Sequence, residues 1–221
     1  NSDFLYRCDR YNRANTLHCP KKIVIFAKIP IQKAFIGLCA DVAQILSEMS
    51  FEELEILMQE DVRRAIEENI DRDPLRIALD RKLPHAALIA SEVKYLQRAR
   101  KKLPSYFAAR CIIPQRAFEQ SSSEDTAAHK QGKGVSCLDL TCGLGVDSFY
   151  LSKRFERVVT IERDEVLAAI ARENFRRLGA TNIEVRCASA EEVIASIDEP
   201  FDMIYADPDR RSGDGRRQVL I

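Results

Sequence analysis

Residues 138–147 read LDLTCGLGVD. The apolar start of this stretch predicts a buried strand, which carries an acid, Asp139, near its end. The chain then turns through Gly143 and Gly145 into a helical pattern. Glycines at such a turn let a ligand approach bare backbone at the N-terminus of a helix, because no Cβ stands in the way. The stretch therefore predicts a ligand-binding turn between a strand and a helix. The alternative is a tight turn whose glycines serve packing alone.

This turn differs from the dinucleotide-binding fingerprint GxGxxG. Ser148 occupies the place of the third glycine, and Asp139 stands four residues before Gly143. An acid at this place suits a ligand with positive groups, such as an amino acid moiety and a sulfonium, better than a pyrophosphate. A nicotinamide-dependent oxidoreductase is therefore disfavoured.

Apolar and β-branched runs alternate with helical patterns after residue 134. The runs cover residues 135–140, 157–161, 183–187 and 201–206, and the helical patterns cover residues 146–155, 164–178 and 190–197. Strand–helix alternation at this spacing predicts βαβ units and a parallel sheet. The expected fold class is therefore α/β.

Two further acids lie at the ends of predicted strands. Glu162 ends the second strand, 17 residues after Gly145. In doubly wound sheets an acid roughly 20 residues after the glycines accepts hydrogen bonds from the ribose hydroxyls. Taken alone, Glu162 could be a helix cap, but Asp164 is better placed for that role. Asp207, followed by Pro208, ends the fourth strand at the carboxyl edge of the sheet, where ligands bind in open α/β folds.

These motifs together resemble the class I S-adenosylmethionine-dependent methyltransferases. Residues 139–145 are similar to their first motif, Glu162 to their second, and Asp207-Pro208 to the fourth-strand motif of the branch that methylates amino groups of nucleic acids. Residues 118–127 resemble the loop and helix that close over the methionine end of the cofactor in trimethylguanosine-synthase-like members. Residues 83–211 look like a bacterial group of candidate methyltransferases, in which a helical unit precedes this domain and a THUMP-like RNA-binding module follows it.

The resemblance implies a Rossmann-like class I methyltransferase sheet, the cofactor S-adenosyl-L-methionine and two sets of site residues. In the catalytic set, the Asp207 carboxylate and the Pro208 carbonyl would orient the acceptor amine. The cofactor-binding set comprises Gln120, Ser122, Asp139, Thr141, Gly143, Gly145, Asp147, Glu162 and Ser189. Cys142 is common at its position for packing and is not expected to be a nucleophile.

Three positions depart from the pattern of this family. Thr141 stands where a small residue is common, and its hydroxyl could contact the carboxylate end of the cofactor. Ser189 stands where the third strand usually delivers an Asp to the adenine amine. Residues 209–211, DRR, replace the second proline or aromatic residue that stacks a flipped base, although a guanidinium plane can also stack on a base.

Three regions are expected along the chain: residues 1–48 without an interpretable pattern, a helical unit at 49–117, and the methyltransferase domain at 118–221. A capping box at residues 50–53 begins the helical unit. Apolar residues then recur every fourth position from Leu54 to Ile70, which predicts one face of a single helix. Residues 121–134 are linker-like in composition.

The predicted sheet has fewer strands than a class I methyltransferase needs and is apparently truncated after strand 4. We therefore expect an unpaired outer edge on the fourth strand, and a chain that is a fragment with little transferase activity alone. The alternative is that residues 1–48 supply missing strands, since residues 23–27 are apolar and β-branched.

Charge gives one argument for an RNA partner, and it is local. The whole chain has 34 basic and 34 acidic residues, so its net charge indicates no nucleic-acid partner. Residues 91–117, however, hold seven basic residues against one acidic residue. The basic edge of this region consists of Lys94, Arg98, Arg100, Lys101 and Lys102. It is predicted either to contact RNA phosphates or to be the solvated face of a helix.

Composition excludes several other classes of protein. A chain with 46% hydrophobic residues can bury a core, so disorder is excluded. The seven cysteines are odd in number and lack a CxxC pair, which favours reduced thiols in a cytoplasmic protein. The longest apolar run, residues 23–40, is broken by two lysines and a proline, so no membrane span is expected. The three histidines are scattered, so no metal site is expected.

The sequence thus predicts a methyltransferase that passes the cofactor's methyl group to a nitrogen of an RNA base. Such catalysis consists mostly of positioning two reactants in line. The alternatives are a non-catalytic RNA-binding protein that keeps a cofactor-shaped pocket, and a methyltransferase of a small molecule.

Overall fold

The computed structural model describes residues 22–25 and 49–207 of the chain. Its sheet contains five parallel strands in the order β1-β5-β2-β3-β4. The strands are β1 (Lys22–Ile25), β2 (Gly134–Asp139), β3 (Phe155–Glu162), β4 (Ile183–Cys187) and β5 (Met203–Ala206). The four strands expected after residue 134 are confirmed, and so is the Rossmann-like α/β fold class.

The expectation of an unpaired outer edge on the last strand is wrong. β1 lies beside β5, with Lys22 opposite Met203 and Ile25 opposite Ala206. The alternative strand in the N-terminal region is therefore confirmed for residues 22–25. A β-branched segment pairs in this way because the backbone N–H and C=O groups of an edge strand need partners.

Ten helices lie within the described residues. They are α1 (Phe51–Met58), α2 (Glu60–Glu68), α3 (Pro74–Ala78), α4 (Ala86–Lys102), α5 (Pro104–Ala108), α6 (Gln115–Gln120), α7 (Glu124–His129), α8 (Val146–Leu151), α9 (Glu165–Arg177) and α10 (Ala190–Ser196). The capping box at the start of α1 is confirmed, since the Glu53 amide donates to Ser50 Oγ and the Ser50 amide donates to the Glu53 carboxylate.

The single helix expected from Leu54 to Ile70 is instead two helices. Gln59 has φ −65° and ψ 140°, which is extended backbone and ends α1. Within α1 the buried residues are Leu54 and Leu57, three positions apart, and Met58 is 47% exposed. The four-residue repeat therefore predicted the wrong residue at the end of the first helix.

The linker-like stretch at residues 121–134 is also ordered and packed. It contains α7, whose N-cap Ser123 accepts a hydrogen bond from the Thr126 amide. Glu124 is buried and accepts from the Ser105 amide at 2.8 Å and from the Tyr150 hydroxyl at 2.8 Å. The carboxylate of Glu124 thus joins three helices, which polar composition alone did not predict.

One continuous core joins the helical unit to one face of the sheet. It includes Leu57, Tyr95 and Tyr106 from the N-terminal helices together with Phe149 and Phe175 from α8 and α9. A smaller cluster on strands β2, β3 and β5 packs against α10. Helices therefore cover both faces of the sheet, as parallel strands require. No helix among the described residues is long and apolar enough to cross a membrane.

A buried amide fastens the chain between α5 and α6 to α9. The Ile112 amide donates to Asn174 Oδ1 at 2.8 Å, and Asn174 Nδ2 donates back to the Ile112 carbonyl at 2.9 Å. Asn174 is fully buried, so both of its polar atoms must find protein partners. The helical unit is consequently fixed against the helix that follows Glu162.

Candidate active site

The two glycines of the turn after β2 have different surroundings. Both adopt left-handed backbone, with φ +55° at Gly143 and φ +84° at Gly145. A Cβ on Gly145 would lie 2.5 Å from Cζ of Phe175, so this glycine allows close packing of the turn on α9. A Cβ on Gly143 would meet no protein atom within 4 Å. Gly143 therefore presents open backbone, as a ligand-binding turn requires.

Asp139 lies underneath this turn and holds it. Its side chain is fully buried, and burial raises the pKa of its carboxyl to about 6. One carboxylate oxygen accepts from the Thr141 amide at 2.9 Å, and the other accepts from the hydroxyls of Ser148 and Thr160. Both oxygens thus serve the protein's own groups. This arrangement does not supply the exposed carboxylate that we expected at Asp139 for a positive ligand group.

Glu162 faces the same turn from the end of β3. Its Oε2 accepts from the Gly143 amide at 2.9 Å, and its Oε1 accepts from the Asp164 amide at 3.0 Å. Burial raises the pKa of this carboxyl. The backbone of Arg163 also donates to this carboxylate. A carboxylate has about four lone-pair sites, so three backbone donors leave acceptor capacity for about one further hydroxyl. Asp164 caps α9 by accepting from the Leu167 amide, which confirms the helix-cap role predicted for it.

Thr141 connects the turn to the end of β5. Its hydroxyl oxygen accepts from the Asp207 amide at 2.8 Å, while the hydroxyl donates to Asp139 Oδ1 at 3.2 Å. Asp207 is therefore fixed beside the glycine turn. The two strand ends that the sequence singled out, after β2 and after β5, meet through this threonine.

A buried lysine adds a charge cluster that sequence reasoning missed. Lys130 Nζ lies 2.6 Å from Asp147 Oδ2 and 3.5 Å from Asp207 Oδ2, and it also contacts the Tyr205 hydroxyl. Only 10% of the Lys130 side chain is exposed. Tyr205 stands in the fourth-strand motif and could have been included, whereas Lys130 lies in a polar stretch without any periodic signal. Lys130 joins the first residues of α8 to the end of β5.

The remaining predicted site residues fall at different distances from this cluster. Ser122 joins it, since its hydroxyl donates to Asp147 Oδ2 and lies 3.2 Å from Lys130 Nζ. Gln120 is exposed at the end of α6. Ser189 caps α10 by accepting from the Glu192 amide, and its hydroxyl also interacts with the Glu192 carboxylate. Pro208 lies outside the described residues.

Two of the five side chains of the basic edge pair with acids. Arg98 pairs with Glu119 at 3.5 Å and Arg100 pairs with Asp71, and both pairs are exposed. Lys102 Nζ donates to the Phe118 carbonyl and Lys94 lies over the ring of Tyr95, contacts that leave both charges in place, and Lys101 is exposed. The local excess of positive charge is therefore reduced by two ion pairs and is not removed.

The described cysteines are thiols without thiolate character. Burial raises the pKa of Cys111, Cys137 and Cys142, and the pKa of the exposed Cys187 is raised as well. A nucleophilic role is thus as improbable for Cys142 as its packing position indicates. Within the part of the chain that the structure describes, no group of His, Cys, Asp and Glu side chains could hold a metal ion.

Comparison with known proteins identifies the fold of the C-terminal half. Residues 137–209 match a family described as "Methyltransferase domain". The chain is 39% identical over 82 residues to the 23S rRNA (uracil(1939)-C(5))-methyltransferase RlmD of Alkalilimnicola ehrlichii. The aligned stretch covers 35% of this chain and 18% of that protein. It is 34% identical over 88 residues to the ribosomal RNA small subunit methyltransferase J of Shewanella denitrificans, covering 36% of each.

One solved structure is similar over a longer stretch. A crystal structure from Porphyromonas gingivalis W83, named as that of a candidate methyltransferase, superposes with a TM-score of 0.61 and 30% identity. The superposition covers 74% of this chain and 43% of that chain. The chain thus spans less than half the length of these similar proteins. The match at residues 137–209, together with the parallel sheet and its glycine turn, shows that this part of the chain is similar to methyltransferase domains and has their Rossmann-like α/β fold.

Proposed function

We propose that this chain holds S-adenosyl-L-methionine at the glycine turn and takes part in methyl transfer to a nitrogen of an RNA base. The observation that carries the proposal is the meeting of three strand ends at one point. Glu162 accepts from Gly143 at 2.9 Å, and Thr141 in the same turn fixes Asp207 at 2.8 Å. The carboxylate proposed to bind the cofactor, that of Glu162, and the carboxylate proposed to bind the substrate amine, that of Asp207, are therefore both held at one turn.

The residues present fit the cofactor on two observations. The open space at Gly143 is where a Cβ would stand, and Glu162 beside it keeps acceptor capacity for a ribose hydroxyl. Asp147 Oδ1 is buried without a hydrogen-bond partner, which suits the ammonium of the methionine moiety. We assign Ser189 to the adenine, Gln120 and Ser122 to the loop over the methionine end, and Gly145 and Asp139 to shaping the turn. The bound cofactor supplies an electrophilic methyl group on sulfur.

Asp207 would orient the acceptor by accepting a hydrogen bond from its amine, with the Pro208 carbonyl as a second acceptor. A nitrogen with a lone pair can attack the methyl group directly, whereas a ring carbon must first be activated by a nucleophile. The Asp207-Pro208 pair at the end of β5 supports a nitrogen acceptor, while one similar protein, of which this chain covers 18%, is named for a uracil carbon.

RNA as the substrate is supported by the names of similar proteins, two of which act on ribosomal RNA. The basic edge supports it little, because Arg98 and Arg100 already pair with acids. A small molecule is accordingly the second candidate acceptor. We further propose a cytoplasmic location, where ribosomal RNA is found, and membership of the trimethylguanosine-synthase-like and THUMP-associated branches. Contact of Ser122 and Lys130 with Asp147 supports the branch assignment, since it brings residues 118–130 to the site.

The domain boundaries also remain proposals. We place the helical unit at residues 49–117 and the methyltransferase domain at 118–221, with residues 1–48 as an extension. Pro114, the N-cap of α6, precedes this boundary by three residues, and α6 itself runs across it from Gln115 to Gln120.

The test of the proposed chemistry is the substitution Asp207→Ala. Methyl transfer from labelled S-adenosylmethionine to total ribosomal and transfer RNA should fall at least about 100-fold, because positioning of the acceptor is lost. The affinity for S-adenosylhomocysteine should stay within a few-fold of wild type. Asp202→Ala is a matched control at the other end of β5, where the Asp202 carboxylate accepts from the Val135 amide at the start of β2. Full turnover by Asp207→Ala would contradict the assigned role.

A further inference from the structure

A cavity lies between the helical unit and the end of α9. It has a volume of about 310 Å³ and opens between α2, α4 and the end of α9. Its apolar part is formed by Leu57, Leu96 and Ile112. Its charged part includes Arg64, Glu92 and Arg177. A cavity with an apolar body and a few convergent polar groups is the usual form of a small-molecule site.

Arg177 brings an unsatisfied donor to this cavity. Only 9% of its side chain is exposed. Its Nε donates to Glu173 at 2.7 Å and its Nη1 donates to the Arg110 carbonyl, but its Nη2 is buried without any partner. A buried charged donor left unpaired costs more than an ordinary lost hydrogen bond. A ligand with an anionic acceptor would remove that cost.

The other charges of the cavity limit which anion fits. Glu67 pairs with Arg110 at 2.5 Å, and Glu60 lies 3.7 Å from Arg63. Arg64 is exposed at the rim and has no ion-pair partner among the described residues. Four arginines and three acids line the same space, so the lining favours a single added negative charge, and its apolar part favours a carboxylate with an apolar body over inorganic phosphate.

This cavity is separate from the candidate active site. Glu162 and Asp164 precede α9, whereas Arg177 is the last residue of that helix. Thirteen residues at about 1.5 Å each place the two ends of α9 roughly 18 Å apart. A ligand at Arg177 would consequently not contact the groups that we assign to the cofactor.

We propose that this cavity binds a small carboxylate with an apolar body, which accepts a hydrogen bond from the free Nη2 of Arg177. The apolar body lies against Leu57, Leu96 and Ile112, and Arg64 attracts the anion at the rim. The proposal does not depend on the assignment of the cofactor or of the RNA substrate.

Calorimetric titration of the full chain with benzoate, hexanoate, benzamide and inorganic phosphate tests this site. We expect benzoate or hexanoate to bind, and Arg177→Met to weaken that binding by about 10-fold or more, since a charge-assisted hydrogen bond is lost. Arg176→Met is the matched control, because Arg176 is a neighbour that also pairs with Glu173 but does not line the cavity. It should leave carboxylate binding unchanged.

Arg64→Met provides a second variant on an exposed side chain, in case Arg177→Met does not fold. It should weaken carboxylate binding by about 2–5-fold through the loss of a rim charge. The proposal is overturned if neither carboxylate binds the wild type, or if a folded Arg177→Met binds as tightly as Arg176→Met. Equal binding of benzamide would exclude anion recognition, and tighter binding of phosphate would exclude the carboxylate assignment.

Discussion

Replacing each glycine of the turn by alanine separates packing from ligand binding. Both substitutions place a side chain on left-handed backbone, with φ +55° at Gly143 and φ +84° at Gly145, which costs about 1–2 kcal/mol each. At Gly145 the new Cβ also lies 2.5 Å from Cζ and 2.8 Å from Cε1 of Phe175. Phe175 is only 2% exposed, so its ring cannot move away without disturbing the core.

Overpacking of this kind adds about 1–3 kcal/mol, so Gly145→Ala should lower the free energy of unfolding by about 2–5 kcal/mol in total. Gly143→Ala should lower it by only about 1–2 kcal/mol, because the new Cβ meets no protein atom within 4 Å. For binding of the cofactor we expect the opposite order, with Gly143→Ala the more damaging of the two substitutions. Gly143→Ala fills the space assigned to the cofactor and should weaken S-adenosylhomocysteine by about 10-fold or more, a loss of about 1.4 kcal/mol.

Urea unfolding gives the free energy of unfolding, and calorimetric titration at low temperature gives the affinity for S-adenosylhomocysteine. Gly145→Ala, while folded, should bind S-adenosylhomocysteine within a few-fold of wild type. The reasoning is refuted if Gly143→Ala binds normally, or if Gly145→Ala is no less stable than Gly143→Ala. The first result would mean that the open side of the turn is not the ligand side, and the second would mean that Gly145 is not needed for packing against Phe175.

Two further substitutions test the buried charges. Burial raises the pKa of Glu92 from 4.5 to about 7, so the folded state holds this proton more tightly than the unfolded state. The resulting stability is complete below pH 4.5 and is lost as the pH rises through about 7. The free energy of unfolding of Glu92→Gln, measured with urea, should therefore rise by about 3 kcal/mol relative to that of wild type when the pH is raised from 4.5 to 8. If the difference between the two proteins does not change with pH, the prediction is contradicted. Lys130→Met should lower the free energy of unfolding by about 3–5 kcal/mol, because it leaves the carboxylates of Asp147 and Asp207 without their shared cation. Adding Asp147→Asn should restore part of that loss, and a double variant less stable than Lys130→Met would show that the cluster is not held by charge.

The sequence predicted those features of the site that depend on local pattern. The apolar run before Gly143 identified β2, and the acid after the next run identified Glu162 at the same edge. Both predictions rest on the fixed geometry of βαβ units, in which strand ends meet at one edge of the sheet. The sequence did not separate the two glycines, of which Gly143 has open space around it and Gly145 packs against Phe175.

Features that depend on tertiary contacts were not visible in the sequence. The basic edge looked unpaired because its partners Asp71 and Glu119 lie outside the residues 91–117 in which charge was counted. Asp139 looked available to a ligand, yet its carboxylate is turned to Thr141 and Ser148. Lys130 stands in a polar stretch and reaches the site only because α7 packs against α8. Long-range packing decides these roles, and periodicity carries no information about it.

The most direct test of the account is calorimetric titration of the wild-type chain and Glu162→Ala with S-adenosylhomocysteine. Glu165→Ala is the matched control, since Glu165 is exposed in the first turn of α9. The account predicts that wild type and Glu165→Ala bind equally, that Glu162→Ala binds about 10–100-fold more weakly through the loss of about 1–3 kcal/mol, and that NAD does not bind. Equal affinity of Glu162→Ala and wild type, or binding of NAD in place of S-adenosylhomocysteine, would contradict it.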